Sequence, residues 1–570
     1  MQAFTARTAR IVVTAAGVGG ALCAAAFADV LTSLSVAIKE GDVVAGVGNL
    51  TTIDAISVNN SGTWLVECDT NNANTSIDQV VVRNGVVVAQ QGASLVAPAG
   101  ATISSFGPGG TVLDSAGDYG WNYFLGGLTT TTDSGIFFDN TLVIQESAIS
   151  TAPQFTAGTP YIGFFGARLN DSNQIAIMAS IDDPAITSTV DRAIVIANID
   201  ALGNLVSETV LAKEGDVLAG QVDAVADFAT GLDGWSFNDS GQVLYIADLT
   251  GATTTDGVVY LDHTLLAQEG GASPIAGRTW LSLSTSQRVA PNDQGDYAFT
   301  ATLSGDTATD SVIALNGGIF VQEGSVPPGI AGFTLTGFGT GPVDLDDGGN
   351  LYWFGDWNDP DTTKDTGIFR NNQLLVQEGV TTIGGQTVTA IASVQENLRV
   401  SPNGEWLIFE GELAGGISGA FLVHMTPTSS TYCTAGTTTN GCLASISATG
   451  SASATGSTDF DITIASVEGQ KSGIVFYGVS GPTAAPWGST SFLCVKAPTQ
   501  RTPTQNSGGT AGACDGTLSL DWNAYRTANP GALGSPFAVG SACWMQGWFR
   551  DPQATKTTNL SDGLTFTFSP

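Results

Sequence analysis

The chain has 570 residues, with 18 Lys and Arg against 52 Asp and Glu, and a formal net charge of −34 at pH 7. Nucleic-acid phosphates and anionic lipid surfaces repel such an acidic chain, so we expect neither a nucleic-acid partner nor binding to an anionic membrane. The length predicts two or more domains, and the 42% hydrophobic content is sufficient for packed cores.

Residues 1–28 predict a secretory signal peptide. Arg7 and Arg10 precede an apolar stretch rich in small residues, and Ala26-Phe27-Ala28 matches the small-x-small cleavage pattern. Cleavage there would leave 16 of the 18 basic residues and all 52 acidic residues, a balance of −36. A transmembrane anchor is the alternative, although the stretch is short and rich in Gly and Ala. We expect an exported protein, secreted or at the outer cell surface, with no membrane span after cleavage.

Seven copies of one sequence unit follow, between about residues 36 and 425. Each contains an Asx-rich turn, and the last residues of these turns are Gly62, Gly117, Asn173, Gly241, Gly295, Gly349 and Gly404. The intervals between them are 55, 56, 68, 54, 54 and 55 residues. A fixed period of this size indicates a solenoid, a propeller or an array.

Each unit reads as four short strands. The second strand is the clearest, as in Thr63-Trp64-Leu65-Val66-Glu67, because β-branched and aromatic residues are bounded by turn residues. Asn84-Gly85 and equivalent pairs predict a hairpin between the third and fourth strands. A Gln-Glu-Gly-like signature ends the fourth strand in six units, and its remaining copy, Lys39-Glu40-Gly41, precedes the first unit.

This offset predicts that the N-terminal strand completes the last unit and closes a ring. The expected fold class is all-β: residues 29–425 form a seven-bladed β-propeller closed by the N-terminal strand, followed by a C-terminal β-sandwich. A β-helix or an open array of sandwiches is the alternative. The third unit has 23 residues between Asp191 and Glu214 where other complete units have 13, which predicts an extended hairpin near residues 198–207.

Two acidic positions recur in the units. One precedes the third strand and the other ends the fourth: Asp78, Asp133, Asp191, Asp256, Asp310 and Asp365, and Glu40, Glu146, Glu214, Glu269, Glu323 and Glu378. They could form an acidic face that collects cations or polar sugars. Their repetition favours a framework role, in which each carboxylate accepts hydrogen bonds from hydroxyls and backbone N–H groups.

One acidic loop breaks the repeat and predicts a calcium site. Asp356, Asn358, Asp359 and Asp361 crowd oxygen ligands into a short segment after the second strand of the sixth unit. The segment lacks the Gly of an EF-hand loop, and a solvated acidic turn is the alternative. We expect no other cofactor.

The sequence gives little support for catalysis. The two His residues, His263 and His424, lie in no nucleophile or zinc motif. We therefore expect a protein that is not an enzyme, while a carboxylate-dependent polysaccharide hydrolase or lyase stays open because such enzymes need no His. Trp235, Trp280 and Trp357 depart from the regular Trp positions and are candidates for an exposed sugar-binding platform.

The last quarter of the chain changes character. Residues 426–431 look like a linker, and residues 432–570 are rich in Ser, Thr and Gly, with alternating strand patterns that predict a β-sandwich. Five Cys residues are disulfide candidates: Cys433, Cys442, Cys494, Cys514 and Cys543. The shortest separation favours Cys433–Cys442, with Cys494 joined to Cys514 or Cys543, although spacing does not fix connectivity.

Two resemblances accompany these patterns. Tyr432-Cys433-Thr434-Ala435, Pro486-Trp487-Gly488 and Trp548-Phe549-Arg550-Asp551-Pro552 resemble a C-terminal module of large secreted bacterial proteins. The N-x-x-G and Q-E-G signatures are similar to those of an uncharacterised secreted bacterial propeller repeat family. Neither resemblance implies catalytic residues. We expect a non-catalytic binding or structural platform that recognises glycan or protein at the cell exterior.

Overall fold

The computed structural model describes residues 30–568, apart from 108–111, 187–190, 232, 285–286, 428, 451, 453, 455–459 and 539–540. The predicted signal peptide lies outside the described residues. The described chain consists of antiparallel strands and one short helix, so the all-β prediction is confirmed. The structure contains, among the described residues, no helix with the length and apolar character needed to cross a membrane.

Seven consecutive sheets, here called sheets 1 to 7, account for residues 30–427. Sheet 1 contains Val43–Val44, Gly48–Val58, Trp64–Thr70, Gln79–Arg83 and Val86–Gln90; sheet 2 contains Thr102–Phe106, Val112–Leu113, Tyr119–Gly126, Ser134–Phe138 and Thr141–Gln145; sheet 3 contains Tyr161–Asn170, Gln174–Ile181, Asp191–Ile199 and Leu205–Lys213. Sheet 4 contains Val225–Phe228, Trp235–Phe237, Val243–Leu249, Gly257–Leu261 and Thr264–Gln268; sheet 5 contains Trp280–Ser282, Val289–Pro291, Tyr297–Leu303, Ser311–Leu315 and Gly318–Gln322. Sheet 6 contains Leu335–Gly337, Asp344–Leu345, Leu351–Trp357, Thr366–Arg370 and Gln373–Gln377; sheet 7 contains Thr382–Ile383, Gln386–Ile391, Leu398–Val400, Trp406–Leu413, Ile417–Pro427 and Val30–Lys39.

The first strand of each unit is continuous only in sheets 1 and 3. In the other five sheets a loop divides it into two pieces that pair with the same second strand, as Val225–Phe228 and Trp235–Phe237 both pair with Val243–Leu249. Two of these loops carry the buried acids Asp233 and Glu396.

The N-terminal strand pairs with the last strand of the repeats. Val30–Lys39 runs antiparallel to Ile417–Pro427, with Leu34 opposite Val423. Hydrogen bonds also link the Asx turns of neighbouring sheets: Asn59 Nδ2 donates to Asp114 O at 2.9 Å, and Asn403 N of sheet 7 donates to Asn60 Oδ1 of sheet 1 at 2.8 Å.

A separate hydrophobic core lies between each pair of neighbouring sheets. Val66 and Val82 of sheet 1, for example, share a core with Ile408 and Leu422 of sheet 7. Equivalent cores join sheets 1 and 2, 2 and 3, 3 and 4, 4 and 5, 5 and 6, and 6 and 7. Each second strand contributes to the cores on both of its sides because its alternate side chains point to opposite faces.

The third unit has the extended hairpin that its length predicts. Its outer strands, Asp191–Ile199 and Leu205–Lys213, have nine residues each, whereas those of sheets 1, 2, 4, 5 and 6 have five. The turn is an Asx turn, since Asp200 Oδ1 accepts hydrogen bonds from Leu202 N and Asn204 N, both at 2.9 Å.

Residues 429–567 form three further sheets. A six-stranded sheet contains Ser429–Tyr432, Thr558–Thr567, Ala542–Arg550, Ser472–Gly478, Thr499–Arg501 and Gln505–Asn506; a three-stranded sheet contains Ser445–Gly450, Phe460–Val467 and Gly516–Asp521; a hairpin contains Pro482–Trp487 and Ser491–Val495. The two larger sheets and the helix Trp522–Ala528 share one core. The predicted linker 426–431 instead lies mostly in strands, ending Ile417–Pro427 and beginning Ser429–Tyr432.

The cysteine pairing differs from the favoured expectation. Cys433 pairs with Cys494, and Cys442 pairs with Cys514, with Cα–Cα distances of 6.2 and 5.3 Å. Cys543 is buried and unpaired. The nearest Cys in sequence is not the nearest in space because strand Ser429–Tyr432 leads Cys433 towards the hairpin that contains Cys494, and Tyr432 Oη donates to Cys494 O at 2.8 Å.

Candidate functional site: the central cavity

First strands from all seven sheets line one cavity, here called the central cavity. Its volume is about 110 Å³. A single water needs about 10–15 Å³ of such space, whereas drug-sized ligands occupy cavities of about 300–1,000 Å³. The central cavity can therefore hold several waters or a small ion but is too small for a sugar chain.

Charged side chains from four sheets meet at this cavity. Arg399 Nη2 lies 3.2 Å from Asp233 Oδ1 and 3.6 Å from Glu396 Oε1. The Glu396 backbone N–H donates to Asp233 Oδ2 at 3.2 Å, and Val400 N donates to Asp344 Oδ2 at 2.9 Å. Asp233 thus joins sheet 4 to sheet 7, and Asp344 joins sheet 6 to sheet 7.

Burial and mutual charge control the ionisation of this cluster. Burial, assisted by the neighbouring Arg399, lowers the pKa of the Arg168 guanidinium to about 10. Burial also opposes the charge on Arg399, but Asp233 and Glu396 outweigh it and raise the Arg399 pKa. Burial raises the pKa of the Asp344 carboxyl to about 6 despite the adjacent Arg399. The ionisation of Arg168, Arg399 and Asp344 therefore reflects both their burial and the charges of their neighbours.

Carboxylates recur at the Asx turns, and three of them, Asp239, Asp293 and Asp347, line the central cavity. Asp171, Asp239, Asp293 and Asp347 occupy one position in four consecutive units, and each accepts a backbone N–H from the preceding unit at 2.6–3.0 Å. Burial and the three other carboxylates raise the pKa of Asp239 to about 6. The turns also behave as predicted within each unit, since Asn59 Oδ1 accepts hydrogen bonds from Ser61 N and Thr63 N.

A second group of acids lies on sheets 1 and 7. Burial and then Asp54 and Glu396 raise the pKa of Glu67 well above its usual value. Burial and Asp54 likewise raise the pKa of Glu410 to about 7. These carboxyls therefore favour their neutral forms at mildly acidic pH.

The two repeating acids lie beside each other in several units. Glu269 Oε1 accepts Leu283 N of the next sheet at 2.8 Å, and Glu378 Oε2 accepts Thr366 Oγ1 at 2.6 Å. Burial and the adjacent Asp133 raise the pKa of Glu146 to about 7. The hydrogen bonds of these two Glu carboxylates agree with the framework role.

The residues of the predicted calcium loop have protein partners. Asp356 Oδ1 accepts Thr336 Oγ1 at 2.8 Å, and Asn358 Oδ1 accepts Thr334 N at 2.8 Å. Asp359 Oδ1 accepts Asp361 N, and Asp361 forms an ion pair with Lys364 at 2.7 Å. Across the described residues no three His, Cys, Asp or Glu side chains are grouped so that they could hold a metal ion. Calcium binding by this loop stays a prediction.

The structure corrects the predicted tryptophan platform. Trp235, Trp280 and Trp357 are 1%, 5% and 1% exposed, so none presents a surface to a sugar. The ring centroids of Trp280 and Phe299 are 5.4 Å apart, and the Arg168 guanidinium carbon lies 5.1 Å from the ring centroid of Trp235. These residues are buried because the strands that carry them direct the indoles into the cores between sheets.

The sequence analysis missed the charged residues of the central cavity. Arg168, Asp344 and Arg399 occupy one repeat position, five residues before the last turn residue, where the other units have Ser57, Val112, Ser236 and Ala290. The available signal was this chemical variation at a single position in otherwise similar units.

The chain resembles one protein family over part of its length and several solved structures at low sequence identity. The profile of a family described as "Family of unknown function (DUF7453)" matches residues 3–259. No curated protein matches the chain. Among solved structures, a PQQ-bound aldose sugar dehydrogenase from Streptomyces coelicolor is similar at 10% identity, over 70% of this chain and 100% of that chain, with a TM-score of 0.28.

Two further solved structures show similarity. A puromycin hydrolase mutant complexed with PGG matches at 11% identity over 63% of this chain and 58% of that chain, with a TM-score of 0.27. A tetra-tandem repeat from the extending region of a large adhesion protein matches at 9% identity over 95% and 99% of the two chains, with a TM-score of 0.13. Similarity at this level carries no activity over to the present chain.

Proposed function

We propose that residues 29–425 form a seven-bladed β-propeller closed by the N-terminal strand, and that this propeller is a rigid, non-catalytic platform at the cell exterior. Glycan or protein would be its ligand. Three observations support closure: Val30–Lys39 pairs with the last repeat strand, the turn of sheet 7 is hydrogen-bonded to that of sheet 1, and sheets 1 and 7 share a core.

The non-catalytic assignment rests on the small volume of the central cavity and on the pairing of its charged side chains. The cavity volume is about 110 Å³, and Arg399 is already paired with Asp233 and Glu396. A polysaccharide would have to separate buried ion pairs to enter, and removing one partner of such a pair costs about 3–5 kcal/mol. A surface platform needs no such rearrangement.

A carboxylate-dependent hydrolase or lyase is the second candidate. The observation in its favour is the Asp133–Glu146 pair, in which the pKa of Glu146 is raised to about 7. A carboxyl group that is protonated near neutral pH is suited to general acid catalysis. Against this, equivalent acid pairs recur in other units, where their glutamates make structural hydrogen bonds.

The two candidates predict different products from the same incubation. The mature protein and its Glu146→Gln variant would be incubated with a polysaccharide panel, then assayed for new reducing ends and for unsaturated lyase products. Migration through polysaccharide-containing native gels would report binding. The platform predicts retarded migration without products. Products that Glu146→Gln abolishes would refute the non-catalytic assignment.

A further inference from the structure

The C-terminal domain contains a pocket lined mainly by hydroxyl and amide groups, here called the hydroxyl pocket. Its lining residues are Thr437 to Thr439, Trp487 to Ser491, Asp551, Gln553 to Thr555, Thr558 and Asn559. The pocket volume is about 240 Å³. This is close to the lower end, about 300 Å³, of cavities that hold small ligands.

Trp487 lines the hydroxyl pocket, and Lys556 lies over its ring. Trp487 Nε1 donates to Thr558 Oγ1 at 3.1 Å, and the indole packs on an apolar cluster that includes Val495 and Leu560. The Lys556 ammonium lies 4.2 Å above the Trp487 ring centroid. Lys556 is exposed, and no carboxylate of the described residues lies within 4 Å of its ammonium. The indole is therefore fixed, while the flexible cation over it is free to move.

A second cation–tryptophan pair lies beside the first. The Arg550 guanidinium is 5.4 Å from the Trp548 ring centroid. Arg550 lies opposite Thr558 in the antiparallel pair of strands, and directly opposed side chains share one face of a sheet. Because Thr558 also holds the Trp487 indole, the two pairs are neighbours on one surface.

Charge distinguishes this domain from the rest of the chain. Residues 432–570 contain six Lys and Arg and seven Asp and Glu, a balance of −1, whereas residues 29–431 contain ten and 45, a balance of −35. An anionic polymer is repelled by the repeats but not by this domain. At physiological salt, exposed charges farther apart than the screening length of about 8 Å interact only weakly, so the negative charge of the repeats is largely screened at more distant parts of this domain.

We propose that this surface binds an acidic polysaccharide whose pyranose rings carry carboxylates. A sugar ring would displace Lys556 from the Trp487 face and pack its apolar side on the indole. The displaced ammonium would then pair with the sugar carboxylate through a charge-assisted hydrogen bond. Arg550 would engage the carboxylate of the next sugar, for which its planar fork is suited.

Asp551 would position Thr439 at the opposite end of the hydroxyl pocket. Its carboxylate is fully buried and accepts Thr439 Oγ1 at 2.5 Å and Thr439 N at 3.0 Å. Because this carboxylate is covered, ring hydroxyls would contact Thr439 and the other hydroxyl and amide groups that line the pocket. The pocket therefore offers hydroxyl and amide groups to the ring hydroxyls, and Lys556, over the Trp487 ring beside it, offers a cation to the carboxylate.

Titration calorimetry on the full mature chain tests this assignment. The probes are a galacturonic acid oligosaccharide and its fully methyl-esterified form, which has the same ring stereochemistry without the charge. Each charge-assisted contact should favour the acid form over the ester by about tenfold. Lys556→Gln should reduce that preference by about this factor, Lys556→Gln/Arg550→Gln should abolish it, and Trp487→Ala should weaken both ligands.

Lys496→Gln is the matched control because it removes one exposed cation from the same domain away from the pocket. Equal loss of binding in Lys496→Gln and Lys556→Gln, or equal affinity for the acid and ester forms, would overturn the assignment. So would an absence of binding. Lys556 is exposed, so its variant tests the proposal even if Trp487→Ala misfolds. No residue of the repeats takes part: gel retardation that Lys556→Gln abolishes would report this pocket, and retardation that persists in that variant would report the repeats.

Discussion

Replacing Asp233 by Asn tests whether the central charge cluster holds the sheets together. The substitution keeps the side-chain shape and an oxygen acceptor for the Glu396 N–H, but it removes the charge 3.2 Å from Arg399 Nη2. A hydrogen bond to a charged group contributes about 1.5–3 kcal/mol, and an unpaired buried charge costs about 3–5 kcal/mol. Arg399 retains Glu396 at 3.6 Å, so we expect Asp233→Asn to lower the free energy of unfolding by about 2–3 kcal/mol.

The double variant Asp233→Asn/Arg399→Gln separates pairing from simple loss of polarity. Because it removes both charges together, its destabilisation should fall short of the sum of the single variants by about 1–3 kcal/mol. Urea unfolding followed by tryptophan fluorescence gives these free energies. Asp461→Asn, at an exposed site in the C-terminal domain, should change stability by less than about 0.5 kcal/mol. Exact additivity in the double variant, or a wild-type value for Asp233→Asn, would show that the pair does not couple sheets 4 and 7.

Three further predictions address the framework. The pKa values of Glu146 and Glu410 in the folded state, both about 7, exceed the ordinary value of a glutamate, so the folded state binds more protons than the unfolded state. The free energy of unfolding should therefore be greater at pH 5 than at pH 8 and should fall as the pH rises through 7. Melting temperatures measured across that range would check this expectation. Asn238→Ala removes the 2.7 Å bond from Asn238 Nδ2 to Asn292 O and should cost about 1–3 kcal/mol in urea unfolding, whereas an unchanged midpoint would contradict the link between turns. Non-reducing peptide mapping should recover the two disulfides of the C-terminal domain, and thiol reagents should label Cys543 only after denaturation; a peptide containing Cys433–Cys442 would contradict the observed pairing.

Local turn and strand chemistry made much of the repeat architecture predictable. Asn59 favours its turn because its own side chain accepts hydrogen bonds from the following backbone, an interaction that needs no distant partner. The third-unit hairpin was predictable for the same reason, since its extra length is a property of one continuous segment. The pairing of Val30–Lys39 with Ile417–Pro427 followed from counting complete and incomplete units.

Features that depend on long-range geometry were not predictable. Cys433 and Cys494 are 61 residues apart and meet only after the C-terminal sheet and its hairpin have packed. The three irregular Trp residues looked exposed because their spacing differs from that of the regular ones, but burial depends on strand direction rather than spacing. The helix Trp522–Ala528 was also missed, although Asp521 caps it by accepting Ala524 N at 2.8 Å, because seven residues provide too little periodicity.

Deviation from the repeat separates framework from specific sites in this protein. The turn Asn residues recur and bond in the same way from sheet to sheet, as Asn170, Asn238 and Asn292 each donate to the next turn. The cavity position two residues before these Asn residues is instead Arg in two units and Asp in another, and one of these Arg residues, Arg399, forms an ion pair with Asp233 of sheet 4. Loss of one of these turn bonds leaves three others, whereas Asp233 is the one carboxylate from another sheet that forms an ion pair with Arg399 among the described residues. Substitutions in the central cluster should therefore disturb the whole assembly of sheets, while single substitutions at the turns should remain local.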